Sequence, residues 1–142
     1  MPVGSCFCGE IRIEFDSEPI ATALCHCTDC RKISGGTHSY NFLVKTSDLD
    51  ITGIPKAVPK TADSGSQIKN YFCPECGTPL YGQKIAPDGT PDEATVLRAG
   101  ILDDPKIINQ QIPKVELYTE RRIEWVHPLE GATQFDGFLP AN

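Results

Sequence analysis

The chain has 142 residues, with 13 Lys or Arg against 19 Asp or Glu and a net charge of -6. That balance argues against a broad electrostatic grip on phosphate backbones, so no nucleic-acid partner is expected. No apolar run approaches the ~20 residues that span a bilayer, so no membrane partner is expected either.

The size fits a single domain over residues 1–142, large enough to bury a core yet still served by metal reinforcement. The first residues carry no basic segment followed by an apolar stretch, and the cysteines suit a reducing compartment, so a soluble, cytoplasmic protein is expected. In chain order, Ile11 to Phe15 alternates apolar and charged residues with period two and predicts a half-buried strand. Asp29 to Ser34 predicts a short helical turn. Ser39 to Val44 predicts a second strand, and Pro55 to Gln67, rich in Pro, Ser, Gly and Lys, a surface loop. Within it, Lys60 to Gly65 reads as a solvated turn that would otherwise wall a site. Strands are predicted again over Ile68 to Phe72, Ala94 to Ala99 and Val115 to Tyr118, with a turn-rich excursion from Ala86 to Pro91. Asp103-Asp104-Pro105 is a helix start signal, so these two aspartates read as caps rather than as an acid–base pair. With 12 glycines and 12 prolines punctuating the chain, the expected fold is mostly β. Trp125, Tyr118 and Phe72 are expected in the core.

The chemistry concentrates in seven cysteines, all clustered: Cys6-Phe-Cys8, Cys25-His-Cys27-Thr-Asp-Cys30 and Cys73-Pro-Glu-Cys76. Thiolates one or two residues apart can turn toward a common ion, whereas a disulfide between such neighbours closes a strained small ring. Cys8 and Cys76 are each followed by glycine, which can take positive φ and aim backbone N–H groups at the sulfurs. These two pairs therefore read as two halves of one closed site. A Cys-x-x-Cys redox pair should open a helix, and Pro79 follows too soon for that. In another arrangement, Cys73 and Cys76 join two thiols of the central run and leave Cys6 and Cys8 as spectators.

Three thiolates from the six residues Cys25 to Cys30 can cap one face of a metal and leave a vertex open, the pattern of catalytic zinc. His26, Asp29, His38 or His127 could instead close the site, although His26 in an extended Cys-x-Cys segment should point away from its neighbours. Three thiolates on Zn²⁺ leave a net charge of -1, which weakens activation of water and favours another soft ligand. A substrate thiol bound there would ionise, so the pattern favours making or breaking carbon–sulfur bonds over hydrolysis. Arg31 and Lys32 then either meet a substrate carboxylate or balance the thiolate charge.

Gly4-Ser-Cys-Phe-Cys-Gly9, Cys25-His-Cys-Thr-Asp-Cys-Arg-Lys32, Phe72-Cys-Pro-Glu-Cys-Gly-Thr78 and Gly100-Ile-Leu-Asp-Asp-Pro105 occur in an order that resembles the glutathione-dependent formaldehyde-activating enzyme (Gfa) and centromere protein V family. The resemblance implies a mostly β, Mss4-like β-tent of short antiparallel strands with few short helices, holding two zinc ions. It implies a structural tetrad of Cys6, Cys8, Cys73 and Cys76, and a catalytic zinc held by Cys25, Cys27 and Cys30. It also implies a carbon–sulfur lyase acting on glutathione or a similar small thiol and an aldehyde such as formaldehyde. Many members carry Pro-x-x-His-aromatic before a later Trp, where this chain reads Pro113-Lys-Val-Glu116-Leu-Tyr118. The competing expectations are a non-catalytic, zinc-stabilised protein-interaction module and a redox or metal-buffering protein; a homo-oligomeric state stays open.

Overall fold

The computed structural model describes residues 2–62 and 65–139. Among these residues the chain forms eleven strands in two sheets and two short α-helices, the mostly β architecture its composition predicts. β1 (Val3–Ser5), β2 (Arg12–Glu14) and β5 (Asp50–Thr52) form a three-stranded antiparallel sheet. The second sheet runs in the order β11 (Thr133–Gln134), β10 (Val115–Leu117), β3 (Ala21–Cys25), β4 (Ser39–Lys45), β9 (Ala94–Arg98), β8 (Pro79–Ile85), β7 (Gln67–Phe72) and β6 (Lys56–Thr61). All of its pairings are antiparallel except those of β10, which runs parallel to both β3 and β11. The expected antiparallel pairing holds elsewhere; β10 joins β3 only after the chain has passed through β9 and α2 (Pro105–Gln110), a long connection of the kind parallel pairing needs.

The period-two pattern of β2 and its flanks buries Ile11, Ile13 and Phe15 against Phe42, Val44, Leu80 and Leu97 of the large sheet, so the main core lies between the two sheets. Phe42 makes edge-to-face contacts with Phe15 at 6.2 Å and Tyr40 at 5.6 Å. A smaller cluster of Ala23, Cys25, Cys30 and Leu117 sits at the β3–β10 end, with Tyr118, Phe135 and Leu139 packed against it.

Three sequence expectations are corrected. Pro55 to Gln67 is not simply a loop: Lys56–Thr61 pairs with β7 as the exposed edge strand of the sheet. Its wholly solvated side chains carry no alternation for a periodicity argument to detect, and Pro59 is tolerated only at such an edge. Asp63 and Ser64 of the supposed turn lie outside the described residues, while Lys60 reaches across to pair with Asp29. Trp125 is 72% exposed and not in the core, and Tyr118 belongs to the smaller cluster beside the cysteines. Asp104 caps α2 as expected, accepting from Lys106 N–H at 2.9 Å, and Asp103 accepts from Ser5 Oγ at 2.6 Å.

Candidate metal centres

Two turns from distant parts of the chain meet at the first cluster. Cys6 and Cys8 lie between β1 and β2, Cys73 and Cys76 between β7 and β8, and their four sulfurs all fall within 4.8 Å of one another. Cys8 Sγ is 3.6 Å from Cys6 Sγ and 3.7 Å from Cys73 Sγ. A tetrahedral ion with metal–sulfur bonds of about 2.3 Å would hold its sulfurs about 3.8 Å apart, so the donor set fits zinc. Gly9 and Gly77 have φ of 85° and 78°, the left-handed conformation that closes each turn after its second cysteine. Ile11 N–H donates to Cys6 Sγ at 3.2 Å, and Thr78 Oγ1 lies 3.1 Å from Cys76 Sγ. Thr78 also accepts from Phe7 N–H at 3.0 Å, which ties the two turns together. Cys73 and Cys76 therefore do not join the central run.

The second cluster is local. Cys25 ends β3, Cys27 caps α1 (Thr28–Ser34), and Cys30 lies in the helix, with Cys30 N–H donating to Cys27 Sγ at 3.3 Å. Their sulfurs also lie within 4.8 Å of one another, and among the described residues no histidine or carboxylate joins them. His26 is turned away, fully buried, with Nε2 2.7 Å from Glu116 Oε1. Asp29 faces Lys60, His38 bonds Thr37 Oγ1 at 2.9 Å, and His127 is exposed.

Crowding three thiols makes their protons unequal. Hydrogen bonds from Cys25 and Cys27 push the Cys30 thiol down to about 2 against the opposing effect of burial, helped by the Arg98 guanidinium and Ser39. Cys27 and Cys30 push Cys25 up, and burial adds to the rise. Three thiolates this close cannot all stay ionised without a cation among them, so this donor set too suits a soft divalent metal.

Arg98 was not legible as a site residue. It ends β9 with Nη1 4.0 Å from Cys30 Sγ and 2.7 Å from Asn41 Oδ1, while Nη2 donates to Asn70 Oδ1 at 3.2 Å. Asn41 in turn donates to Ser39 Oγ at 2.8 Å. The available signal was a lone arginine closing the apolar run Ala94-Thr-Val-Leu-Arg98. Arg98 and Ser39 also line a cavity of about 300 Å³ walled by Ile33, His38, Tyr40 and Ile101. That is the lower end of the range for small-molecule sites. The cavity extends to Thr78 and Pro79, which follow Cys76 in the chain. Arg31 and Lys32 do not line it.

Together, a β fold of two sheets and two thiol clusters able to hold metal define a class of cysteine-rich, metal-binding-type domains. Within that class the chain belongs to the glutathione-dependent formaldehyde-activating enzyme family, whose model matches residues 1–121. Its structure is similar to the crystal structure of a Rhodobacter sphaeroides protein solved as a structural-genomics target, at 22% identity and a TM-score of 0.53. The likeness covers 75% of this chain and 94% of that one, and it shows a shared fold. No curated protein matches the chain. Among the described residues, no helix is long and apolar enough to cross a membrane.

Proposed function

We propose that the chain is a zinc-dependent carbon–sulfur lyase that joins glutathione or a similar small thiol to a small electrophile such as an aldehyde, in the manner of S-hydroxymethylglutathione synthesis. The supporting observation is the unequal division of the thiols. Four sulfurs lie together in one cluster, while three lie in another, with Cys30 near Arg98 of the cavity wall and no fourth protein ligand among the described residues. Cys6, Cys8, Cys73 and Cys76 would hold a structural zinc, and Cys25, Cys27 and Cys30 a catalytic one. Zinc at the second site would supply a soft Lewis acid able to keep a substrate thiol ionised at neutral pH.

The protein's own part is charge and enclosure. Arg98, fixed by Asn41 and Asn70, sets a guanidinium beside the Cys30 sulfur and offsets the charge of crowded thiolates. Ile33 and Ile101 give the cavity apolar walls that limit water around the reacting carbon. In the net reaction with formaldehyde, the thiol sulfur bonds to the carbonyl carbon, the C=O π bond opens, and the thiol proton ends on the new hydroxyl. No oxidant or reductant is needed. On this reading residues 1–142 work as one domain in the reducing cytoplasm, where the thiols stay free for metal.

The test compares metal content and glutathione binding in wild type and Cys27→Ser. Two zinc ions per chain and measurable thiol binding are expected in wild type, falling to one zinc and no thiol binding in the variant. Two zinc ions without thiol affinity in wild type would refute the assignment.

A further inference from the structure

Behind the three-cysteine cluster lies a buried polar assembly with no part in the reaction just described. His26 sits between Cys25 and Cys27, and its side chain leaves the opposite face of the extended segment. Both His26 and Glu116 have 0% exposure. The carboxylate is an acceptor only, so Nε2–H donates to Oε1 across 2.7 Å, while Nδ1 is buried without a hydrogen-bond partner. Glu116 Oε2 accepts from Gln134 Nε2 at 2.7 Å and Leu129 N–H at 2.8 Å, with Arg122 Nη2 at 3.3 Å. The main chain repeats the link, because His26 N–H donates to Leu117 O at 3.0 Å and Cys25 is the register partner of Leu117.

One carboxylate thus grips the middle residue of Cys25-His26-Cys27 with one oxygen and the segment 122–134 with the other. That same C-terminal stretch carries Phe135 and Leu139, which pack against the cysteine cluster. Burying a carboxylate is costly, and apolar side chains of similar volume in place of such a pair are often neutral or stabilising. What this pair supplies that an apolar pair could not is a fixed direction for the imidazole. With the imidazole locked on one side of the strand, the sulfurs of Cys25 and Cys27 are held on the other, in reach of Cys30.

We infer that His26 and Glu116 are positioning residues that set the mutual placement of the Cys25, Cys27 and Cys30 sulfurs, and thereby the retention of metal at that cluster alone. The inference rests on the reading that this cluster takes zinc. Neither residue belongs to the thiol donor set or lines the cavity.

The experiment uses the zinc-loaded full chain and titrates release of each ion against a chromophoric chelator, in wild type and in Glu116→Gln, which keeps the side-chain volume. In wild type two ions should leave in separable steps. In Glu116→Gln, the ion of the three-cysteine site should be held about tenfold more weakly, with the four-cysteine site unchanged, the scale typical of losing a supporting partner. ¹⁵N spectra should show His26 protonated on Nε2 in wild type and on Nδ1 in the variant, where the amide donates to Nε2 and its carbonyl keeps Gln134 and Leu129. Equal retention of both ions, or equal loosening of both, would overturn the positioning role, as would a wild-type His26 with no proton on Nε2. A wild-type chain that takes up only one zinc would instead overturn the underlying two-site reading.

Discussion

Removing two cysteines from each cluster should destabilise the protein by different amounts, because the clusters close loops of different length. Cys8 and Cys73 are 65 positions apart, so a metal clip between their turns restrains a large part of the unfolded chain. The loop-closure relation used for cross-links gives about 4 kcal/mol for a loop of that size, and metal clips obey the same chain statistics. The three-cysteine cluster closes only the span from Cys25 to Cys30, for which the relation gives about 2 kcal/mol. The Cys30 N–H bond to Cys27 Sγ at 3.3 Å already favours that turn, so 2 kcal/mol is an upper bound. With an unfolding entropy of about 2.1 cal/mol/K per residue, a chain this long has roughly 0.3 kcal/mol/K, so the two losses correspond to Tm shifts of about 14 °C and at most about 7 °C. Differential scanning calorimetry of zinc-loaded wild type, Cys73→Ala with Cys76→Ala, and Cys25→Ala with Cys27→Ala reads both. Equal shifts, or a larger loss from the local cluster, would refute the division into a long-range clip and a local site.

Arg98→Met should retain both zinc ions yet slow thiol addition by about ten- to hundredfold, since it removes a fixed positive charge without removing a ligand; an unchanged rate, or loss of zinc, would show that the guanidinium does something else. Glu116 yields a pH test. Burial alone would raise its pKa, but hydrogen bonds from Gln134, Leu129 N–H and His26, with the Arg122 charge, pull it down to about 2. Its folded value lies below the ordinary 4.5, so its stabilisation is complete above pH ~4.5 and is lost as the pH falls toward 2. In urea titrations the stability gap between wild type and Glu116→Gln should shrink by about 1 kcal/mol from pH 6 to pH 4 and by about 2 kcal/mol by pH 3, and a gap independent of pH would contradict the ionised state.

The β character was readable because β2, β4, β7, β9 and β10 carry apolar or β-branched residues with period two or in short runs bounded by turns. The cysteine groupings were readable because chelation constrains spacing more tightly than packing does. β6 was missed because an edge strand with both faces in water has no burial pattern to betray it. Glu116 stood out only as the position where many family members carry histidine, and between Val115 and Leu117 alternation makes a charged residue look solvent-facing. Its burial depends on Leu129 and Gln134, which come later in the chain and return beside β10 through β11. Arg98 escaped for a similar reason: its approach to Cys30 arises from the pairing of β9 with β4, a contact across 68 positions.

What separates the two clusters is where their donors come from. In the first, two turns approach from different hairpins, so donors from both meet as the fold closes. In the second, every donor comes from one strand end and the helix turn that follows it, so the other side must be built by something else. Arg98, Ser39 and the C-terminal residues Phe135 and Leu139 supply those surroundings, and none of them is a thiolate. A one-sided donor set can exchange a fourth ligand without unfolding the chain, which a site clamped between two hairpins cannot do. Under the proposed function, that difference would give the first cluster a structural part and the second a chemical one.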